Sequence, residues 1–130
     1  MTNISHIIRQ LAIVPLAMIA GCAPAAPTAG PAVIPELADR TAGAPQRCVP
    51  TQLTGAMRIA GPGVVLYGSG RTIWVNRLAS PCPGMSRMNS LIVEPFGAQY
   101  CRNDCIRTVE PTSGIASPSC LLGDFVPYTR

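Results

Sequence analysis

The apolar positions of this chain fall into short runs cut by glycine, proline, asparagine and serine, with one longer run near the start. Val64-Val65-Leu66-Tyr67 and Thr72-Ile73-Trp74-Val75-Asn76 flank Gly68-Ser69-Gly70-Arg71, which predicts a β-hairpin with a four-residue loop. Leu91-Ile92-Val93 predicts a further strand, turned by Glu94-Pro95-Phe96-Gly97 into Ala98-Gln99-Tyr100-Cys101. Arg102-Asn103-Asp104 reads as the next tight turn, leading into a strand over residues 105–109. Residues 120–122 and 125–128 predict a closing pair around Gly123-Asp124. No stretch longer than about ten residues avoids Gly and Pro while keeping a helical period, so helices are limited to single turns. About six short strands predict a mainly β head over residues 47–130, folded as a small β-barrel or a two-layer sheet.

The longer run, residues 11–21, has a different meaning. As a helix its eleven residues reach about 16 Å, against roughly 30 Å of bilayer hydrocarbon, and Pro15 interrupts them. A short polar start carrying His6 and Arg9, a brief apolar stretch and small residues at its end predict a secretory signal peptide. Ala23-Pro24-Ala25 offers one cleavage site of the ordinary secretory kind. Ile19-Ala20-Gly21-Cys22 instead resembles a bacterial lipobox: an aliphatic residue, two small residues and a cysteine. That resemblance implies cleavage after residue 21 and a diacylglyceryl group on the Cys22 sulfur. Two or three acyl chains, at about 0.8 kcal/mol per buried CH₂, hold a protein on a membrane stably. Ala23 stands where an aspartate would resemble an inner-membrane retention signal, so the implied address is the periplasmic face of the outer membrane.

Residues 22–46 follow as the lipidated cysteine and a tether. Pro24, Pro27, Pro31, Pro35 and Pro45 recur too often for a helix or a central strand, and alanine fills much of the rest. Val33 and Ile34 are adjacent strong apolar residues, too few for a core. A disordered, semi-rigid spacer of at most about 75 Å is expected, lifting the head off a lipid surface.

Composition narrows the chemistry. All ten basic residues are arginine and the one histidine is His6, so a chain cut before Cys22 has neither Lys nor His. Such a chain cannot build a Ser-His-Asp or Cys-His site, a His-based zinc site, or a Walker-type phosphate loop. Gly61-Pro62-Gly63 and Gly68-Ser69-Gly70 therefore read as turns. The four acids of the head, Glu94, Asp104, Glu110 and Asp124, all lie beside turns, where carboxylates bond local backbone or water rather than forming a catalytic pair. Eight arginines against those four acids give the head a charge of +4, a surface suited to lipid head groups or anionic envelope polymers. Nucleic acid is not an expected partner in that compartment, and no cofactor or metal is expected. Trp74 is expected in the core rather than as a ligand platform, with Met85 and Met88 capping the core under the Cys82 loop.

A head of 84 residues is marginal without covalent help, and export places it where disulfides persist. With Cys22 acylated, Cys48, Cys82, Cys101, Cys105 and Cys120 remain, an odd number that leaves one thiol over. Cys101 and Cys105 could face each other across a three-residue turn at bridging distance. As a reactive pair their x₃ spacing departs from the x₂ of thioredoxin-like motifs, and no helix follows to activate a thiolate, although Arg102 and Arg107 lie nearby.

The head also resembles a family of small, uncharacterised, cysteine-containing lipoproteins of Gram-negative bacteria. The likeness rests on Cys48, Pro81-Cys82-Pro83-Gly84-Met85, Cys101-Arg102-Asn103-Asp104 and Cys120, and covers the last 84 residues. It implies bridges among Cys48, Cys82, Cys101 and Cys120 with Cys105 as the odd thiol, and it implies no activity. The expectation is a non-enzymatic, envelope-anchored lipoprotein with a binding or structural role, possessing an envelope protein or anionic polymer as partner. The alternatives are a thiol-active accessory protein, redox or metal-handling, using Cys101 or Cys105, and an enzyme whose site a partner chain completes.

Overall fold

A strand buried along its whole length needs cover on both faces of its sheet. β4 (Val64–Tyr67) is such a strand, and the fold is organised around it. The structure, a computed structural model, describes residues 33–53 and 55–130; the expected signal segment and Cys22 lie outside them. The other strands are β1 (Thr41–Ala42), β2 (Cys48–Pro50), β3 (Arg58–Gly61), β5 (Thr72–Arg77), β6 (Ser90–Glu94), β7 (Gln99–Cys101), β8 (Cys105–Val109), β9 (Cys120–Leu121) and β10 (Phe125–Thr129). They form an antiparallel five-stranded sheet in the order β1-β10-β5-β4-β3, a β2-β7 pair, and a three-stranded sheet β6-β8-β9. The head is therefore mainly β and layered, and no barrel closes among the described residues.

Alternation along the central strands sorts the core into two halves. Val65 and Tyr67 of β4 point with Phe125 of β10 into a cluster completed by Val49, Ile106, Cys120 and Leu122 from the second layer. Val64 and Leu66 point the other way, with Ala60, Ile73 and Val75. That second face is covered by residues expected in the tether. Ile34 is buried in it and Leu37, in a 3-10 turn over Pro35–Leu37, packs beside it. β1 then pairs with β10, and Gln46 bridges to Phe125. Residues 34–46, expected in the tether, thus pack with the head that was expected to begin at residue 47. Two apolar side chains are too few to make a core, but they suffice to close one whose other five members the sheet already supplies.

Arg40 fastens this strap. Its guanidinium donates to the carbonyls of Glu36, Gly70 and Arg71, the last two at 2.7 Å. Glu36 pairs with Arg58, and the Arg58 hydrogen bond holds its carboxyl below the ordinary 4.5 despite some opposing desolvation. A carboxyl lowered on folding stabilises the native state above its unfolded pKa, and that contribution is lost as pH falls through the folded value. Both side chains are well exposed, so the effect is worth less than about 1 kcal/mol. Urea unfolding is expected to show a small stability loss below pH 4.5 that Glu36→Gln abolishes; an unchanged acid loss in that variant would place its origin elsewhere.

Two polar contacts join the layers. The Tyr67 hydroxyl donates to the Pro50 carbonyl at 3.0 Å and accepts from the Leu53 N–H, while its ring meets Tyr100 edge-on at 5.1 Å. Desolvation raises this phenol above its ordinary 10.0, so it stays a donor at neutral pH. Asn76, fully buried on β5, uses its amide as a short strand. Its Nδ2 donates to the Gly123 carbonyl at 2.8 Å, and its Oδ1 accepts the Gly123 N–H at 2.9 Å.

Candidate functional site

Strand pairing places the cysteines. Cys48 and Cys101 sit directly opposite on β2 and β7, with Cα atoms 4.0 Å apart, and are bridged. The Arg102 N–H donates to the Arg47 carbonyl at 2.7 Å. The neighbouring Cys48–Cys101 pair is therefore a non-hydrogen-bonded one, where side chains approach most closely. The second bridge joins Cys82, in the loop before β6, to the buried Cys120 of β9. Cys105 remains a thiol, half-buried on the outward face of β8. The alternative Cys101–Cys105 bridge does not form, because the turn between them is a corner and not a hairpin: β7 runs with β2, β8 with β6 and β9. Asn103 takes the corner at φ 74°, and the buried Asp104 carboxylate accepts the Cys101 N–H at 2.7 Å.

Three of the other acids are also engaged. Glu94 pairs with Arg107, Asp124 with Arg102 at 3.3 Å, and Glu110 accepts from the Ser113 hydroxyl. Among the described residues, no three His, Cys, Asp or Glu side chains converge as a metal-holding group.

The arginines divide into those that hold the fold and those that do not. Arg40, Arg58, Arg102 and Arg107 are bonded as above, and Arg87 donates twice to the Ala60 carbonyl. The guanidinium groups of Arg47, Arg71, Arg77 and Arg130 make no hydrogen bond or ion pair within the described residues. The backbones of two of these residues meet at one corner. The Arg130 N–H donates to the Arg71 carbonyl and the Arg40 guanidinium bonds that same carbonyl, so the backbones of Arg71 and Arg130 and the Arg40 side chain meet at the β4–β5 turn. Arg71 also lines a cleft of about 170 Å³ with Leu53, Gly68, Ser69, Thr72 and Trp74. Trp74 packs against the inner core and lines this cleft as well, so it is both a core residue and a cleft wall. Arg77 lies in a separate cleft with Pro62, Leu78 and Pro81. Met85 packs under the Cys82 loop as expected, whereas Met88 is 85% exposed and caps nothing.

No family model matches the chain, and neither the curated proteins nor the solved structures contain a match. Arg40 and Asn76 were not legible as organising residues. Arg40 lies in a stretch whose prolines read as a spacer, and the one sign at Asn76 was a polar residue closing an apolar strand run.

Proposed function

We propose that this chain is an exported lipoprotein, acylated at Cys22, whose stapled β head binds an anionic component of the cell envelope at the Arg71–Trp74 corner. The observation that carries the reading is a cleft lined by both Trp74 and Arg71, whose guanidinium has no partner among the described residues, with the Arg40 guanidinium and the Arg130 N–H both on the Arg71 carbonyl. An unpaired arginine offers a planar donor fork to phosphate or carboxylate, and an aromatic face beside it accepts a sugar ring or an apolar edge. The two bridges within the head fit an oxidising compartment, which supports the address read from Ile19-Ala20-Gly21-Cys22. The reading is non-enzymatic, with the outer membrane's periplasmic face as its site.

The thiol-active alternative gains no support from the placement of the cysteines. Cys101 is bridged to Cys48, and Arg107, on the face of Cys105, is bonded to Glu94.

Two experiments test the proposal. Cys22→Ala is expected to release the exported protein from the membrane and to remove the acyl mass from its N-terminus; a variant still membrane-bound refutes the anchor. For the head, heparin serves as an anionic polymer probe in titration calorimetry. Arg71→Gln is expected to weaken binding at least about fivefold, a loss of roughly 1 kcal/mol, while Arg77→Gln changes it less than about twofold. Equal losses would show diffuse electrostatics and sink the corner as a site.

A further inference from the structure

The turn that carries Arg71 is held by two other arginines. Gly68 and Gly70 take φ values of 82° and 76° within it. Arg58 donates to the Gly68 carbonyl at 3.0 Å, and Arg40 donates to the Gly70 and Arg71 carbonyls, each at 2.7 Å. With these three carbonyls tied, the backbone at Arg71 is set before any ligand arrives, which reduces the ordering cost of binding.

The cleft beside this turn presents donors. Thr72 and Trp74 alternate along β5, so their side chains stand on one face of the strand, opposite the buried Ile73. The Arg71 guanidinium, the Thr72 hydroxyl and the Trp74 indole N–H line the cleft and have no hydrogen-bond partner among the described residues. A guanidinium and an indole can only donate and a hydroxyl can do so, which calls for a ligand rich in acceptors. Leu53 and the indole supply apolar wall, which suits the carbon–hydrogen face of a saturated ring. A pyranose combines the two properties.

Size and charge narrow the ligand further. At about 170 Å³ the cleft falls below the roughly 300–1,000 Å³ of sites that enclose a drug-sized molecule, and it suits a single ring. Arg71 is the one guanidinium that lines it, and a carboxylate matches one fork with two parallel hydrogen bonds and one opposite charge. A phosphate monoester, at about −1.5 to −2 near neutral pH, would keep charge that this fork leaves unmatched.

We propose that the cleft is a subsite for one uronate residue, with its carboxylate on the Arg71 guanidinium and its ring against Trp74. Thr72 and the indole N–H donate to its remaining oxygens. The assignment rests on the Arg71–Trp74 corner being the binding site, and it narrows the anionic component to an acidic polysaccharide.

Trp74 is the chain's one tryptophan, so its fluorescence reports from the cleft itself. The full chain, exported and purified in detergent, is titrated at constant ionic strength. D-glucuronate is expected to change the emission saturably. Methyl glucoside, a ring without the charge, and acetate, a carboxylate without the ring, are each expected to bind at least about tenfold more weakly. Arg71→Gln is expected to reduce glucuronate to the affinity of methyl glucoside while moving the glucoside itself less than about twofold. Methyl glucoside as tight as glucuronate overturns the ionic contact, acetate as tight overturns the ring, and glucose-6-phosphate as tight overturns the choice of carboxylate. If no sugar changes the emission while Arg71→Gln still weakens heparin, the uronate subsite falls and the anionic corner stands. Heparin binding indifferent to Arg71→Gln removes both.

Discussion

Gly123→Ala is expected to destabilise the head by at least about 3 kcal/mol, the range of severe overpacking in a core. A Cβ built on Gly123 would lie 2.0 Å from the Arg77 carbonyl oxygen and 3.2 Å from its carbon. Those are backbone atoms of the central sheet, so no side-chain rotation relieves the clash. The residue cannot simply withdraw either, because its N–H and C=O are both held by the Asn76 amide. Asn76→Ala attacks the same junction from the other side and leaves two buried backbone groups unpaired, at about 1–3 kcal/mol each. Urea unfolding of both variants is the measurement, with Gly61→Ala as control, since a Cβ there meets nothing within 4 Å. A Gly123→Ala protein as stable as that control would mean that β10 and β5 are not joined in this way.

Removing either disulfide as a double Cys→Ala change is expected to cost about 4 kcal/mol in the chain-entropy model. The bridges span 53 and 38 residues, so the unfolded chain regains a large loop in each case. Because a small domain's net stability is about 5–15 kcal/mol, losing one bridge leaves it marginal and losing both is expected to leave the head unfolded. Cys105→Ser, at a half-exposed thiol with no bond to break, is expected to change stability by less than about 0.5 kcal/mol. Urea midpoints with and without reductant measure all of these. Wild-type stability unaffected by full reduction would show that packing alone carries the fold.

The hairpin of β4 and β5 was legible because everything that specifies it is local: two β-branched and aromatic runs and a glycine-rich turn between them. β8 and β10 were legible for similar reasons. Sheet membership was not. The turns at Pro95-Phe96-Gly97 and Arg102-Asn103-Asp104 look like hairpin loops, yet β6, β7 and β8 separate at them, so that the chain alternates between two sheets. A tight turn reverses or redirects the backbone using only its own residues, whereas the strand chosen as partner depends on which apolar face is left to bury. β2 and β3 were missed because a three-residue strand carrying Pro50 and a four-residue strand ending in Gly61 hold too little periodicity to register.

At the candidate corner, the count of arginines against acids is a property of the sequence, but which of them are free is not. Arg58, Arg102 and Arg107 look no different along the chain from Arg71 and Arg77; folding brings carboxylates to the first three and none to the others. The same distinction holds for the whole molecule. Local chemistry determined that the chain is mainly β, short of helix and dependent on covalent staples, because turn residues, strand propensity and cysteine number act within a few residues of themselves. Tertiary structure alone decided that Cys48 meets Cys101 and that Ile34 and Arg40 belong to the head, because each follows from contacts shared between segments tens of residues apart.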